Sequence, residues 1–475
     1  MTTESTPVLA LDCGSTNFKA ALFDSGLRRL GEAAVAVPYS VRTGRRVEMA
    51  PAPLWEITRE VLLGTCAAAG VPTAAVRTIA LTSQAQTFAV LDENDTPRTP
   101  FLSWIDSRAV DEAGELTAHL GAGFHQHCSF APPVPELQAA KVLWLQHHAP
   151  EAWRGRTRVV SLPEFLASRL AGVAALDANL AAMSGLYSLR DGGWWRDALA
   201  RCGLRRAQLP RLVRVGEAVT GTAPPGADLG LGPALTLVFG GNDQTSGALG
   251  NDCRQGVMVA TLGTALVAYR YAGDRPGPYH PGGCWGPFPG GGFYELAARS
   301  AGCQALDSAR AALMPGASIA EFMATAEAAL ARRNEAPDDA DSGCFFFPEN
   351  AATAAAWTGA GALPDRALAV VEGISFSLRC LIREDLAAEA ALGLICVIGG
   401  GSRSDFWLRL LASVLECPVR RGTGDSLLGA AVMAVPGVVP PTAAAGPVWQ
   451  PDRAQVAALD RRFRRWREQQ PGVTP

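Results

Sequence analysis

Lysine is nearly missing from this sequence. Of its 42 lysines and arginines, only Lys19 and Lys141 are lysines. The preference for arginine reads as a coding bias, and it draws attention to the position of Lys19. Basic blocks are missing as well. The formal net charge is −3, so no field attracts a polyanion and nucleic-acid binding is not expected. No apolar run approaches the ~18 uncharged residues of a membrane span. The opening MTTESTPVLALDCG lacks the basic and long apolar regions of a secretory signal. No membrane association is expected. The 11 cysteines form no CxxC pair and are odd in number. This argues against a cysteine metal site and against a disulfide framework. Reduced, mostly buried thiols in a cytoplasmic protein are the expectation.

What is present is a chain of 475 residues, 48% hydrophobic and 18% charged. That composition folds, and the length exceeds what one core usually serves, so two domains are expected. Val8–Asp12 is an apolar run ending in a carboxylate. Cys13-Gly14-Ser15-Thr16-Asn17 is turn-rich, and Phe18–Phe23 returns as a second strand. Near the middle, Gly256–Leu262, Gly263-Thr264 and Ala265–Tyr269 repeat this strand, turn and strand. The repeat suggests two related domains, each opening on a hairpin.

Elsewhere strands and helices alternate, which implies α/β layers. Pro53–Ala69, Pro163–Leu170, Trp195–Cys202, Arg366–Glu384 and Ser404–Leu415 carry helical patterns. Thr78–Leu81, Thr87–Leu91, Leu235–Phe239 and Leu394–Ile398 carry strand patterns. Pro436–Pro447 reads as a connector. Asp452–Gln470 is a basic amphipathic helix, more readily a solvated surface helix than a partner site.

Five segments can carry chemistry. In Asp12-x-Gly14-Ser15-Thr16, glycine admits close approach of a phosphate and the hydroxyls can donate to it. Asp12 could hold Mg²⁺, and Lys19 could set a cation near a transferring phosphoryl group. An ordinary polar hairpin explains the same residues about equally well. Gly263-Thr264 could clasp the same nucleotide from the other side. Gly399-Gly400-Gly401-Ser402 joins a buried strand to a helix and would expose helix N-terminal N–H groups. It lacks GxGxxG spacing, so a dinucleotide-binding turn is the weaker reading. Gly240-Gly241-Asn242-Asp243-Gln244 delivers a carboxylate from an apolar strand. Phosphoryl transfer to a hydroxyl needs such a group to take the proton. Taken alone, Asp243 reads more readily as a helix N-cap. Finally, Gln84-Ala85-Gln86 with Trp104, Asp106 and Arg108 suits a polyhydroxy ligand. A surface loop with an internal Asp106–Arg108 pair is the plainer account.

In this order the segments resemble the FGGY family of carbohydrate kinases. The resemblance runs from Val8 to about Ala434. It is carried by LALDCGSTNFKAALFD, VFGGNDQTSGALG, VMVATLGTALVAY, and VIGGGSRSDFWLRLLASVLECPV with SLLGAAVMA after it. It implies a two-domain, actin-like (ribonuclease-H-like) ATPase fold with sugar and ATP in the cleft between domains, taken here as residues 1–247 and 248–475. By position it implies Asp243 as catalytic base, with Asp12 and Asp243 near the metal. Gly14, Ser15, Thr16 and Lys19 match the first phosphate loop, and Gly263 and Thr264 the second. Gly302 matches a further nucleotide turn, and Gly400, Gly401, Ser402 and Asp405 the adenosine segment. Gln84, Ala85, Gln86, Trp104, Asp106 and Gln244 fall on the sugar side.

The resemblance therefore implies ATP- and Mg²⁺-dependent phosphorylation of a sugar or polyol, first of all a five- or six-carbon ketose such as xylulose. It leaves a homodimer open. Two other classes stay in play: an actin-like ATPase or phosphatase, and a non-catalytic sugar-binding relative. Two departures concern the substrate side. Ala85-Gln86 replaces the Met-His of xylulose-directed members and the Arg-Glu of glycerol-directed ones. FFFPENAATAAAW replaces a Gly-Glu-Arg-x-Pro segment and has no arginine.

Overall fold

The computed structural model describes residues 6–128, 132–221, 229–231, 234–274, 283–335, 343–386, 392–435, 437–441 and 446–470. The expected connector at Pro436–Pro447 lies partly outside them. Two mixed sheets organise the chain. The first runs, edge to edge, Ala218–Thr220, Thr236–Asn242, Thr78–Ser83, Val8–Cys13, Asn17–Phe23 and Arg29–Ala36. The second runs Val448–Trp449, Val419–Arg421, Leu394–Ile398, Val257–Leu262, Leu266–Gly273, Phe293–Arg299 and Gly283–Pro287.

Their pairings match over six strands, and the second sheet adds a seventh, Gly283–Pro287, beyond them. In each, the hairpin is antiparallel, and its first strand has a parallel neighbour on the other side. A second parallel strand and an antiparallel edge follow. The repeated hairpin read from the sequence is thus the visible part of a duplicated sheet.

The first hairpin is set by its residues. Val8–Cys13 is buried throughout and Asn17–Phe23 nearly so. A strand covered on both faces reads as a continuous apolar run rather than an alternation. Helix Pro51–Ala69 covers one face. Proline at its first position and Gly70 in the left-handed region bound it, as expected from the asymmetry of helix ends. Leu54, Trp55, Ile57, Thr58, Val61, Leu62, Thr65 and Cys66 face the sheet. Their spacing is that of one helical face, and each fully buried aliphatic residue contributes roughly 1.5–3 kcal/mol.

The opposite face of the first sheet is covered from far along the chain. Leu427, Leu428, Ala430 and Ala431 of helix Ser426–Ala434 pack on Val8, Ala10, Ala21, Phe23, Ala80 and Val238. That helix also crosses helix Asp243–Gly250 with its backbone in contact. A Cβ on Gly429 would stand 1.6 Å from Ser246 O, so only glycine permits the crossing.

The C-terminal helix, Arg453–Glu468, differs from the expectation of a solvated surface helix. Trp466 is fully buried and Leu459 nearly so. Arg462 donates through Nε to Glu372 at 2.6 Å and through a terminal nitrogen to Cys344 O at 2.6 Å. Burial alone would raise the Glu372 pKa, but Arg333 and Arg462 outweigh it and hold the carboxyl below its ordinary value. The arginines that suggest a wet surface include one that satisfies a buried carboxylate.

Candidate active site

The turn of the first hairpin faces its carbonyl oxygens to protein donors. Gln84 Nε2 donates to Gly14 O at 3.0 Å, Tyr39 Oη to Ser15 O at 2.7 Å, and Val37 N to Thr16 O at 3.0 Å. Tying three acceptors inward keeps their negative ends away from the open side of the turn. The ladder sets Asp12 directly opposite Lys19, with Lys19 exposed and Asp12 buried.

The Asp12 carboxylate accepts the Ser426 hydroxyl on Oδ2. Its Oδ1 is buried with no hydrogen-bond partner. Burial raises the Asp12 pKa, and Asp425 adds to this, while Ser426 and Lys19 pull the other way. Leaving a buried carboxylate oxygen unpaired costs about 1–3 kcal/mol or more. A hard cation met by oxygen ligands removes that cost, and Mg²⁺ takes only one or two carboxylates beside water and phosphate oxygens. No group of three or more metal-ligating side chains occurs among the described residues.

Asp243 follows a break in its strand. The ladder of Thr236–Asn242 shifts register between Phe239 and Asn242, and Gly241 sits at φ +70°. The helix N-cap expected at Asp243 falls one residue earlier. Asn242 accepts Thr245 N–H at 2.7 Å through its side chain, an interaction worth ~1 kcal/mol. This leaves Asp243 as the first helical residue, partly exposed, with Oδ1 accepting Gln244 N–H at 2.9 Å. Burial and then the charge of Asp12 push its pKa up to about 7, against the pull of backbone N–H groups. The two carboxylates therefore share one field.

On the acceptor side the expected residues divide. Asp106 is fully buried. It takes Val47 N–H at 2.7 Å and Arg108 on both oxygens, at 2.8 and 2.6 Å, while Arg108 also reaches Glu48 at 2.6 Å. Gln84 spans Gly14 O and the Thr87 hydroxyl, which donates to it at 2.9 Å. These two side chains hold loops. Trp104 is 41% exposed, and Gln244 is exposed. Gln86 has φ +62° and a buried Oε1 without a partner. A non-glycine residue held there stores strain of order 1–3 kcal/mol. Ala85 offers no polar group and packs beside a cluster that includes Leu176, Leu180 and Tyr187.

Three distant segments meet at the second hairpin. Cys303 N donates to Gly263 O at 2.7 Å, and Gly302 N to Thr264 O at 3.1 Å. A Cβ on Gly302 would stand 2.5 Å from Gly263 O, and one on Gly399 2.5 Å from Leu262 O. Gly400 faces open space, while Gly401 and Ser402 are buried. Thr264 is exposed at the turn. Asp405 is exposed as the first residue of helix Asp405–Leu415 and pairs with Arg421.

Sequence reasoning missed several groups. Arg421 also donates to Ser402 O at 2.7 Å, knotting the triple-glycine turn. Ser426 reaches Asp12 across 414 positions, and nothing local signals either contact. Lys141 had a signal in its rarity. It is fully buried, donates to Gln86 O at 3.1 Å and Ser103 O at 2.6 Å, and burial lowers its pKa to about 7. It joins the Gln86 turn to the Trp104 loop.

Comparison with known proteins follows the same lines. Residues 7–250 match the family model "FGGY family of carbohydrate kinases, N-terminal domain", and residues 259–437 its C-terminal counterpart. A xylulose kinase of Streptomyces coelicolor is 31% identical over 271 residues, 57% of this chain and 55% of that protein. A gluconokinase of Bacillus subtilis is 25% identical over 272 residues, 57% of this chain and 52% of that protein. The chain thus spans about half the length of the curated relatives it matches. The crystal structure of a xylulose kinase from Rhodospirillum rubrum superposes with a TM-score of 0.84 at 22% identity, over 97% of this chain and 98% of that one. A Plasmodium falciparum glycerol kinase with ADP gives 0.83 at 14% identity, over 99% of both chains. These likenesses confirm the two-domain actin-like fold. The duplicated sheets, the paired hairpins and the matched family models together place this chain in the FGGY family of carbohydrate kinases.

Proposed function

We propose that this protein transfers the γ-phosphoryl group of ATP to a hydroxyl of a small sugar or polyol. The observation that carries the reading is Asp243. Its carboxyl sits at a helix start with a pKa near 7, beside Asp12 and the Lys19 hairpin. A general base is most effective with a pKa near the working pH. As the acceptor oxygen forms its bond to phosphorus, Asp243 takes the hydroxyl proton, and ADP leaves. Lys19, the Ser15 and Thr16 hydroxyls and Thr264 hold the phosphates, and residues 1–247 and 248–475 act as the two jaws of the site. Asp12, with Asp243, would hold Mg²⁺, which supplies charge neutralisation on the phosphates. Gly302, Gly400, Gly401, Ser402 and Asp405 line the nucleoside end.

A five- or six-carbon ketose is the first acceptor to test, supported by the xylulose kinase relative. Gln86, Trp104 and Gln244 are the groups left to read it, because Gln84 and Asp106 are engaged within the protein. The test is ADP production with and without a panel of sugars and polyols. A sugar-dependent rate is expected, and an ATP turnover that no acceptor stimulates would sink the proposal. Asp243→Ala is expected to lower kcat by at least about 10²-fold with nucleotide binding kept. Survival of activity within tenfold removes Asp243 as the base.

A further inference from the structure

The strand before Asp243 does not hold its own end. Its bulge takes Gly240 and Gly241 out of the ladder. The bulged carbonyls are met by hydroxyls, Thr82 on Gly241 O at 2.9 Å and Ser246 on Gly240 O at 2.8 Å, and the Asn242 N–H is met by Asn179, 63 residues away and fully buried in the short helix Ala178–Ala182. Asn179 Oδ1 accepts Asn242 N–H at 2.9 Å and the Asn242 side-chain amide at 2.8 Å. Asn179 Nδ2 donates to Thr245 Oγ1 at 3.0 Å and to Pro287 O at 2.8 Å.

These partners fix the orientation of the amide. A backbone N–H can only donate and a carbonyl can only accept, so Oδ1 must face Asn242 and Nδ2 must face Pro287. The space is closed as well. A Cβ on Gly241 would stand 2.9 Å from Asn179 Oδ1. The far side of the knot belongs to the second sheet: Pro287 ends one of its strands, and Thr245 Oγ1 meets Tyr269 Oη at 2.8 Å on another.

We propose, on the reading of Asp243 as the base, that Asn179 is a positioning residue: it aims Asp243 at the acceptor hydroxyl and ties that aim to the placement of the second sheet. Asn179 sits under the residue before Asp243 and under Thr245 in the same first helical turn. It therefore holds both neighbours of the carboxylate, the Asn242 backbone and the Thr245 hydroxyl. A misplacement of about 1 Å in a reacting group costs on the order of 10²-fold in rate.

Two measurements test this. Asn179→Ala is expected to lower kcat about 10²-fold, with KM for ATP and for the acceptor within about threefold. Asn179→Asp keeps both oxygen-accepted bonds and is expected to recover about tenfold of that loss. Independently of turnover, the Asn242 backbone amide is expected to exchange at least about tenfold faster in Asn179→Ala than in wild type. Unchanged exchange at Asn242, a kcat within about threefold of wild type, or a loss confined to the KM for ATP would overturn the assignment. If Asn179→Ala does not fold, the aspartate variant carries the test: a kcat about tenfold below wild type, with both KM values within about threefold, supports the assignment, and a kcat and an Asn242 exchange rate equal to wild type overturn it. Absence of any acceptor-dependent activity in the wild type counts against the kinase reading alone, and the exchange arm still decides the positioning.

Discussion

In the first hairpin Asp12 faces Lys19 across the ladder. In the second, the corresponding rung, one back from the pair that closes the turn, holds Thr261 and Val267, which also face each other. The backbones repeat, and so do the neighbouring strands. The ionisable pair does not. On the proposed kinase reading the turn is wanted twice, because a turn that lets a backbone approach a phosphate is useful on either side of a nucleotide. A carboxylate and a cation are wanted once, because phosphoryl transfer has one reacting centre. Buried charge is costly away from that centre, and the second hairpin avoids it.

The largest test of this contrast is the pair Asp12→Asn and Thr261→Val. The first is expected to lower kcat about 10³-fold and the second by less than about threefold, in a coupled ADP assay. Equal losses would mean that the hairpins share the chemistry.

Next comes the pH profile of kcat/KM for the acceptor. As the proposed base, Asp243 must be unprotonated to take a proton, and burial and Asp12 push its pKa up to about 7. The rate is expected to be level above that value and to fall about tenfold per pH unit below it. A profile flat down to pH ~5 would detach the rate from this carboxyl.

The smallest effect belongs to the second hairpin itself. Thr264→Ala removes one exposed hydroxyl from the turn and is expected to raise KM for ATP about threefold, with kcat within about twofold. A large fall in kcat would give this turn a part in the transition state.

Both hairpins were legible in the sequence because their signals are local. Apolar runs bounded by glycine turns mark strands, and the repeat marks the duplication. Helix Ser404–Leu415 was legible for the same reason, and Ser404 indeed caps it. Two readings failed where distant residues decide. Asp243 and Asn242 are both good N-caps, and only the bulge supported by Asn179 settles which one serves. The arginine-rich C-terminal helix reads as wet until Glu372, 90 positions away from Arg462, is seen beneath it. Gln84 and Asp106 look like sugar-reading groups by type, and the structure adds partners that no local pattern shows: Gly14 and Thr87 for the first, Val47 and Arg108 for the second. A sequence displays a side chain's capacity for hydrogen bonds, and the fold decides whether that capacity is spent before a ligand arrives.

The crossing of helices Ser426–Ala434 and Asp243–Gly250 at Gly429 has a consequence for how the molecule comes apart. The first sheet's second face is roofed by residues that the ribosome delivers late, Leu427 following Val8 by 419 positions. Until Leu427 and Leu428 arrive, Ala10, Phe23 and Val238 have no cover. Neither half is then a self-sufficient folding unit, and loosening either one strips the other. Unfolding should proceed as one cooperative event despite two sheets, and a chain cut short before residue 426 should be degraded rather than persist as a folded first half.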